Sequence, residues 1–397
     1  MSLQATPRSN RLHIGIFGRR NSGKSSLINA LTGQPVAVVS EVAGTTTDPV
    51  YKSMEIHGIG PCVLVDTAGF DDEGDLGALR VEQTEKALQK TDIALLLFCE
   101  KVTEQELSWA RRLKAAKIPV VAVANKSDLS DMDGLRREIR EKLSLEPICA
   151  SALTGEGIPE IREALIRSIP EDYESESITR GLVKEGDLVL LVMPQDIQAP
   201  KGRLILPQVQ VIRELLDKKC LVMSAVTDKL DEALAALSAP PRLIITDSQV
   251  FRTVWEKKPP ESRLTSFSVL MAGYKGDLTY FVESAAAIEA LTESSRVLIA
   301  EACTHAPLAE DIGREKIPRM LRRRVGKGLA VDITAGTDFP KDLSPYDLII
   351  HCGGCMFNRK YLLSRVEQAR AAHVPMSNYG VVIAYLAGIL PDVDLPY

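Results

Sequence analysis

Gly18-Arg19-Arg20-Asn21-Ser22-Gly23-Lys24-Ser25 is the stretch whose reading decides the fold. It follows the alternating apolar segment Leu12 to Phe17, and its G-x-x-x-x-G-K-S spacing is that of a phosphate-binding loop between a strand and a helix. The glycines let backbone N–H groups turn inward around phosphate oxygens, and a helix starting near Lys24 adds the positive end of its dipole. Lys24 is expected to reach the β- and γ-phosphates and the Ser25 hydroxyl to ligate Mg2+. Gly18, Arg19, Asn21, Ser22, Gly23 and Ser26 are expected to line the nucleotide.

Further along the chain, three more segments join this loop. Val63 to Val65 reads as a buried strand ending in Asp66-Thr67-Ala68-Gly69, which places the Asp66 carboxylate beside the metal and the Gly69 amide near the γ-phosphate. A strand over Val120 to Ala124 ends in Asn125-Lys126-Ser127-Asp128. An aspartate there accepts from the N1–H and N2 amino groups of guanine, a pair of donors adenine lacks. Ser151-Ala152-Leu153 then offers a backbone amide to the guanine O6. Ligand groups at the carboxyl ends of successive parallel strands are the site geometry of a doubly wound sheet.

On these motifs, residues 11 to about 170 resemble the Era and MnmE group of GTPases within the Ras-like superfamily. The resemblance implies that Thr46, in Gly44-Thr45-Thr46-Thr47-Asp48, contacts Mg2+ and the γ-phosphate, and that Lys24, Thr46, Asp66 and Gly69 carry catalysis. One departure matters: Phe70 stands where Ras-like enzymes place a water-orienting glutamine. Members of the group with asparagine at the fourth loop position resemble potassium-activated enzymes, so Asn21 is expected either to hold K+ or to brace the loop. Slow, potassium-stimulated turnover follows. The acidic run Asp71, Asp72, Glu73 and Asp75 reads either as a solvated switch segment or as the source of a water-positioning carboxylate.

Pro170 and the mixed-charge run Glu171 to Glu176 read as a linker. Beyond it, strands at Leu188–Met193, Leu221–Ala225 and Leu243–Thr246 alternate with helices at Pro207–Asp217 and Lys229–Leu237, a small parallel α/β unit without site chemistry. So small a domain often gains stability by dimerising. A third unit reads as a strand at Phe267–Met271, a helix at Leu278–Leu291, a strand at Val297–Glu301, a helix at Glu310–Arg324, a strand at Leu348–Ile350 and a helix at Arg359–Ala372. The expected architecture is α/β: a Ras-like P-loop GTPase domain at 1–172 followed by two smaller, mainly parallel α/β domains at 173–262 and 263–397.

Two strands of the third unit run into ligand-type residues: Cys303-Thr304-His305, and His351-Cys352-Gly353-Gly354-Cys355. If the strands are parallel neighbours, both segments meet at one end of the sheet. Three thiolates and a histidine fit a tetrahedral zinc site or an iron–sulfur cluster. Cys62, Cys99, Cys149 and Cys220 stand alone in apolar stretches and read as packing residues.

A GTPase domain followed by C-x-H, 45 intervening residues and H-C-x-x-C resembles the HydF family of FeFe-hydrogenase maturation GTPases over the whole chain. The resemblance implies a homodimeric scaffold that binds GTP or GDP and carries a 4Fe-4S cluster on Cys303, Cys352 and Cys355. His305 or His351 would be the fourth ligand or an outer hydrogen-bonding group, and an oxygen donor such as Asp196 is an alternative. It further implies a transient diiron precursor bearing CO and cyanide, received from radical-SAM maturases and passed to apo FeFe-hydrogenase. Arg314, Lys316, Arg319, Arg322, Arg323, Arg324 and Lys327 form either a solvated helix face or a field for an anionic precursor or partner.

The 397 residues carry 48 basic and 53 acidic side chains, a net charge of −5. That balance and the absence of aromatic–basic patterns disfavour the competing reading, a ribosome- or RNA-associated GTPase with a structural zinc. No apolar run reaches the roughly 18 residues of a membrane span, and the polar Met1 to Arg11 segment is unlike a secretory signal. The expected compartment is the cytoplasm, with neither membrane nor nucleic acid as partner.

Overall fold

The computed structural model describes residues 7–32, 50–56, 59–67, 75–129, 132–170, 173, 177–194, 204–302 and 312–397; side chains are described from residue 82 onward in the helix that starts at Asp75. Two compact units divide at Ser175/Glu176, inside the expected linker.

The first unit is one six-stranded sheet built from β1 (Leu12–Gly18), β2 (Val50–Ile56), β3 (Gly60–Asp66), β4 (Ile93–Phe98), β5 (Val120–Asn125) and β6 (Ile148–Ala150). Its order is β2-β3-β1-β4-β5-β6, and only β2 runs antiparallel. Helices α1 (Lys24–Thr32), α2 (Asp75–Leu88), α3 (Glu104–Ala115), α4 (Met132–Leu143) and α5 (Ile158–Arg167) connect the strands. Strands buried on both faces read as continuous apolar runs: β4, Ile-Ala-Leu-Leu-Leu-Phe, is buried throughout. One core lies on each face, around Ile14, Ile16 and Leu95 on one and Phe17, Leu96 and Phe98 on the other.

The second unit holds two four-stranded parallel sheets. The first, ordered β10-β9-β7-β8, is made of β7 (Leu188–Val192), β8 (Leu221–Ala225), β9 (Leu243–Thr246) and β10 (Arg263–Ser266), with helices α6 (Leu206–Asp217), α7 (Leu230–Ala235) and α8 (Phe251–Lys257). After α9 (Phe267–Lys275) and α10 (Leu278–Ala285), the second sheet, ordered β12-β11-β13-β14, is made of β11 (Arg296–Glu301), β12 (Ala330–Ala335), β13 (Leu348–His351) and β14 (Met376–Asn378). Its helices are α11 (Ile317–Val325), α12 (Arg359–Ala371) and α13 (Tyr379–Leu386). Leu190 and Ile244 of the first sheet share one apolar core with Leu298 and Ile349 of the second, across Val269, Phe281 and Val381 of the helices between them.

One expected element is overturned. Phe267 to Met271 belongs to α9, a helix, not a strand. A short apolar run does not distinguish a buried strand from a buried helix by periodicity. Ser266 decides it: its hydroxyl accepts from the Val269 N–H at 3.2 Å, an N-cap that starts the helix as β10 ends. Cys62 and Cys220 are buried within apolar clusters and Cys149 is half-buried against the second core of the first unit, as expected of packing residues. Cys99 is buried too, but its sulfur lies 3.9 Å from Arg19 Nη2 and it joins none of these clusters.

Candidate functional sites

The phosphate loop follows β1 where β3 and β4 flank it, at the carboxyl edge of the first sheet. Asn21 takes the left-handed conformation (φ 58°), which asparagine tolerates better than most residues. Gly23 lies at φ 91°, and a Cβ there would stand 2.3 Å from the Asn125 amide nitrogen. That amide donates to the Ser22 carbonyl at 2.8 Å, tying the base-side strand to the loop. The Lys24 ammonium donates to the carbonyls of Gly18 (3.0 Å) and Arg19 (2.8 Å), and it heads α1.

Ser25 donates to Asp66 at 2.8 Å. The other Asp66 oxygen is buried without a hydrogen-bond partner, and burial raises the carboxyl's pKa although Ser25 and Lys24 oppose this. A hydroxyl beside a carboxylate with a spare buried oxygen is a donor set suited to Mg2+. Thr46, Gly69, Phe70 and the run from Asp71 to Glu73 lie outside the described residues, as does the Asp75 side chain.

On the base side, Asp128 is exposed and accepts from the Ser151 hydroxyl at 2.6 Å. The same Ser151 oxygen accepts from the N–H groups of Leu153 (3.3 Å) and Thr154 (3.2 Å), shaping the loop that carries Ala152. Lys126, at φ 68°, turns the chain between Asn125 and Asp128.

Glu106 is a site residue that motif reading missed. Wholly buried on α3, it accepts from Arg19 Nε at 2.9 Å and from the Thr103 N–H at 2.8 Å, while Arg19 also donates to the Cys99 carbonyl at 2.8 Å. The loop is thereby pinned to the neighbouring helix. Thr103-x-x-Glu106 has the form of a capping box, which was legible in the sequence; the bond to a residue 87 positions earlier was not.

In the second unit β11 and β13 are parallel neighbours, with Ala300 opposite His351. From β11 the chain passes to β12 on one side, and from β13 to β14 on the other. A crevice at such a switch point is where open α/β sheets bind ligands. Cys352 directly follows β13 at this point: its N–H donates to the Ala300 carbonyl at 3.0 Å, and its sulfur receives the N–H of Ala302 at 3.1 Å and of Gly354 at 3.5 Å. Gly354, at φ 63°, turns the chain between the two thiols. Burial pushes the Cys352 thiol up to about 11, so a bound metal would have to displace its proton.

Both His351 nitrogens are engaged. Nδ1 lies 2.7 Å from the Cys352 carbonyl and Nε2 2.9 Å from Arg365 Nη1. A carbonyl only accepts and a guanidinium only donates, so the ring is the neutral Nδ1–H tautomer. Burial, with the Arg365 charge, lowers its pKa to about 3. Cys303, His305 and Asp196 lie outside the described residues, and among the described residues no three of His, Cys, Asp and Glu form a metal-binding group. Two thiols on a glycine turn, with N–H donors aimed at one sulfur, nevertheless suit an anionic thiolate-ligated cluster. Much of the basic run is spent on the fold: Arg314 pairs with Glu301, Lys316 donates to the Gln249 carbonyl, Arg322 to the Leu329 carbonyl, and Arg324 pairs with Glu289.

The first unit is therefore a P-loop GTPase domain of Ras-like fold, and residues 13–126 match the family model for 50S ribosome-binding GTPases. Residues 178–276 match the hydrogen maturase F dimerization domain and residues 279–393 its tetramerization domain, and with this three-part order the chain belongs to the hydrogen maturase F (HydF) family. It is 39% identical over 173 residues to the tRNA modification GTPase MnmE of Nitrosomonas europaea, covering 42% of this chain and 37% of that protein. To GTPase Der of Campylobacter concisus it is 39% identical over 185 residues, 44% of this chain and 40% of that one. The chain thus spans about two fifths of the length of these curated relatives. The crystal structure of Era from Aquifex aeolicus aligns at 21% identity and a TM-score of 0.37, covering 57% of this chain and 98% of that one. Among the described residues no helix is long and apolar enough to cross a membrane.

Proposed function

We propose that this chain is a cytoplasmic, homodimeric scaffold that hydrolyses GTP, carries a 4Fe-4S cluster, and receives a diiron CO/cyanide precursor from radical-SAM maturases for delivery to apo FeFe-hydrogenase. The observation that carries the reading is the switch point between β11 and β13. The C-x-x-C loop starts there, and the sulfur of Cys352 takes the N–H of Ala302, the residue before Cys303. Cys303, Cys352 and Cys355 would hold the cluster. When bound, it supplies an iron site able to accept and release a further ligand.

On the protein side, the backbone N–H groups of Ala302 and Gly354 favour the thiolate form of Cys352, and His351 braces the loop through the Cys352 carbonyl. His305 and Asp196 remain the candidates for a fourth ligand. In the GTPase domain, Lys24 binds phosphate oxygens, Ser25, Asp66 and Thr46 serve Mg2+, Gly69 contacts the γ-phosphate, and Asn125, Asp128 and the loop from Ser151 to Leu153 select guanine. Turnover is slow, because the water-orienting glutamine is absent, and is stimulated by K+ at Asn21.

Anaerobic iron, sulfide and zinc analysis with EPR after reduction, for the wild type and a Cys352→Ala/Cys355→Ala variant, tests the proposal. About four irons and four sulfides per chain, lost in the variant, are expected. One zinc without sulfide would refute the cluster reading and favour an RNA- or ribosome-directed GTPase with a structural metal.

A further inference from the structure

Two buried cations bond to the segment from His351 to Phe357 that carries the C-x-x-C loop. Lys275, the last residue of α9, is 1% exposed, and its ammonium donates to the carbonyls of Gly354 (3.4 Å), Cys355 (3.3 Å) and Phe357 (2.7 Å). Arg365, on α12, is 2% exposed; Nη1 donates to His351, and Nη2 donates to the Gly336 carbonyl (2.6 Å) and the Tyr361 hydroxyl (3.2 Å). Its guanidinium lies 4.6–4.8 Å from the ring centroids of Phe339, Phe357 and Tyr361.

Neither cation forms an ion pair among the described residues. Glu301, at the end of β11, is paired with Arg314 at 3.1 Å. Neutral carbonyls and ring faces offset only part of the cost of burying a charge, and apolar residues of similar size would pack there without that cost. Both charges bear on the ligand loop: Lys275 through the carbonyls of Gly354 and Cys355, and Arg365 through His351, whose Nδ1 lies 2.7 Å from the Cys352 carbonyl.

We propose that Lys275 and Arg365 are the built-in counter-charge for an anionic iron–sulfur group held on Cys352 and Cys355, aiding its retention and raising its reduction potential. This rests on the cluster reading above. Three thiolates around a 4Fe-4S core leave a net negative charge that grows when one electron is added, so nearby positive charge favours the reduced form.

The test compares full-length wild type with Lys275→Met, Arg365→Gln and the charge-retaining Arg365→Lys. All are reconstituted anaerobically, analysed for iron and sulfide, and titrated with dithionite and mediators under EPR. At a fixed potential the neutral variants are expected to hold at least tenfold less reduced over oxidised cluster, about 59 mV for a one-electron couple, with Arg365→Lys closer to wild type. Lys275→Met leaves three carbonyls without their donor; if it fails to melt cooperatively, the two Arg365 variants decide. Wild-type iron content with an unshifted titration in the neutral variants would overturn the inference, as would equal shifts in Arg365→Gln and Arg365→Lys. A wild type that takes up no iron and sulfide would instead refute the cluster reading itself.

Discussion

Replacing Glu106 by alanine is expected to loosen the phosphate loop from behind. The substitution removes the acceptor for the Thr103 N–H, which costs about 1 kcal/mol as a lost helix cap. It also removes the charge-assisted bond from Arg19, worth about 1.5–3 kcal/mol. Arg19 keeps its bond to the Cys99 carbonyl and is 18% exposed, so water offsets part of what a stranded buried charge would cost. The sum is about 3 kcal/mol, which in a unit of this size lowers the melting temperature by roughly 6–12 °C. Nucleotide affinity should weaken several-fold, because Arg19 sits within the loop that wraps the phosphates. Calorimetry of the full chain reads the first, and titration with a fluorescent GDP analogue the second. Burial holds the Glu106 carboxyl above its usual pKa despite Thr103 and Arg19, so the neutral Glu106→Gln should cost less, about 1 kcal/mol. A Glu106→Ala protein with unchanged melting and unchanged GDP affinity would refute the pinning argument.

Three further outcomes are expected. Asp128→Asn exchanges one carboxylate oxygen for an amide donor, so competition binding should show GTP weakened about 100-fold, at 1.5–3 kcal/mol for each charge-assisted bond, and xanthosine triphosphate gaining. Gly157→Ala would set a Cβ 2.1 Å from the Cys149 carbonyl at φ 74°, and the first unit's thermal transition should report about 3 kcal/mol of lost stability. Glu214 accepts from the N–H groups of Ile178 and Thr179 and from the hydroxyls of Ser177 and Thr179. Burial raises its pKa, but these bonds outweigh burial and hold it below the ordinary 4.5. Its contribution is therefore present above that value and lost as pH falls through the lowered one. Glu214→Gln should cost about 1–2 kcal/mol in denaturant melts at pH 7, and the difference should shrink in acid.

How far the chain could be read in advance followed from how local each feature is. The phosphate loop, Asp66, Asn125, Asp128 and Ser151 are short motifs at the ends of apolar strands, and a strand end in a parallel sheet is already a site. Cys352 and Cys355 announce themselves by spacing, and β11 and β13 by their apolar runs. In contrast β10 and β14 are only four and three residues long, and edge strand β12 mixes polar with apolar residues, so periodicity passed over all three. The run from Phe267 fits a strand as well as a helix, because the choice between them rests on a single cap at Ser266.

The groups that hold the two sites in shape were not legible. Arg19 reaches Glu106 across 87 residues, and Lys275 reaches Phe357 across 82. Whether such pairs touch depends on the order of strands in the sheet and on which face each helix covers. By itself the sequence determined the GTPase class, the parallel α/β character and the cysteine set, because these are carried by neighbouring residues and their period. Tertiary structure alone decided that β11 and β13 adjoin with Ala300 opposite His351, that His351 spends one nitrogen on the Cys352 carbonyl and the other on Arg365, and that two buried cations, neither in an ion pair among the described residues, bond to the loop and to His351. Burial and charge pairing depend on residues distant in the chain, and only the folded arrangement brings them within bonding distance.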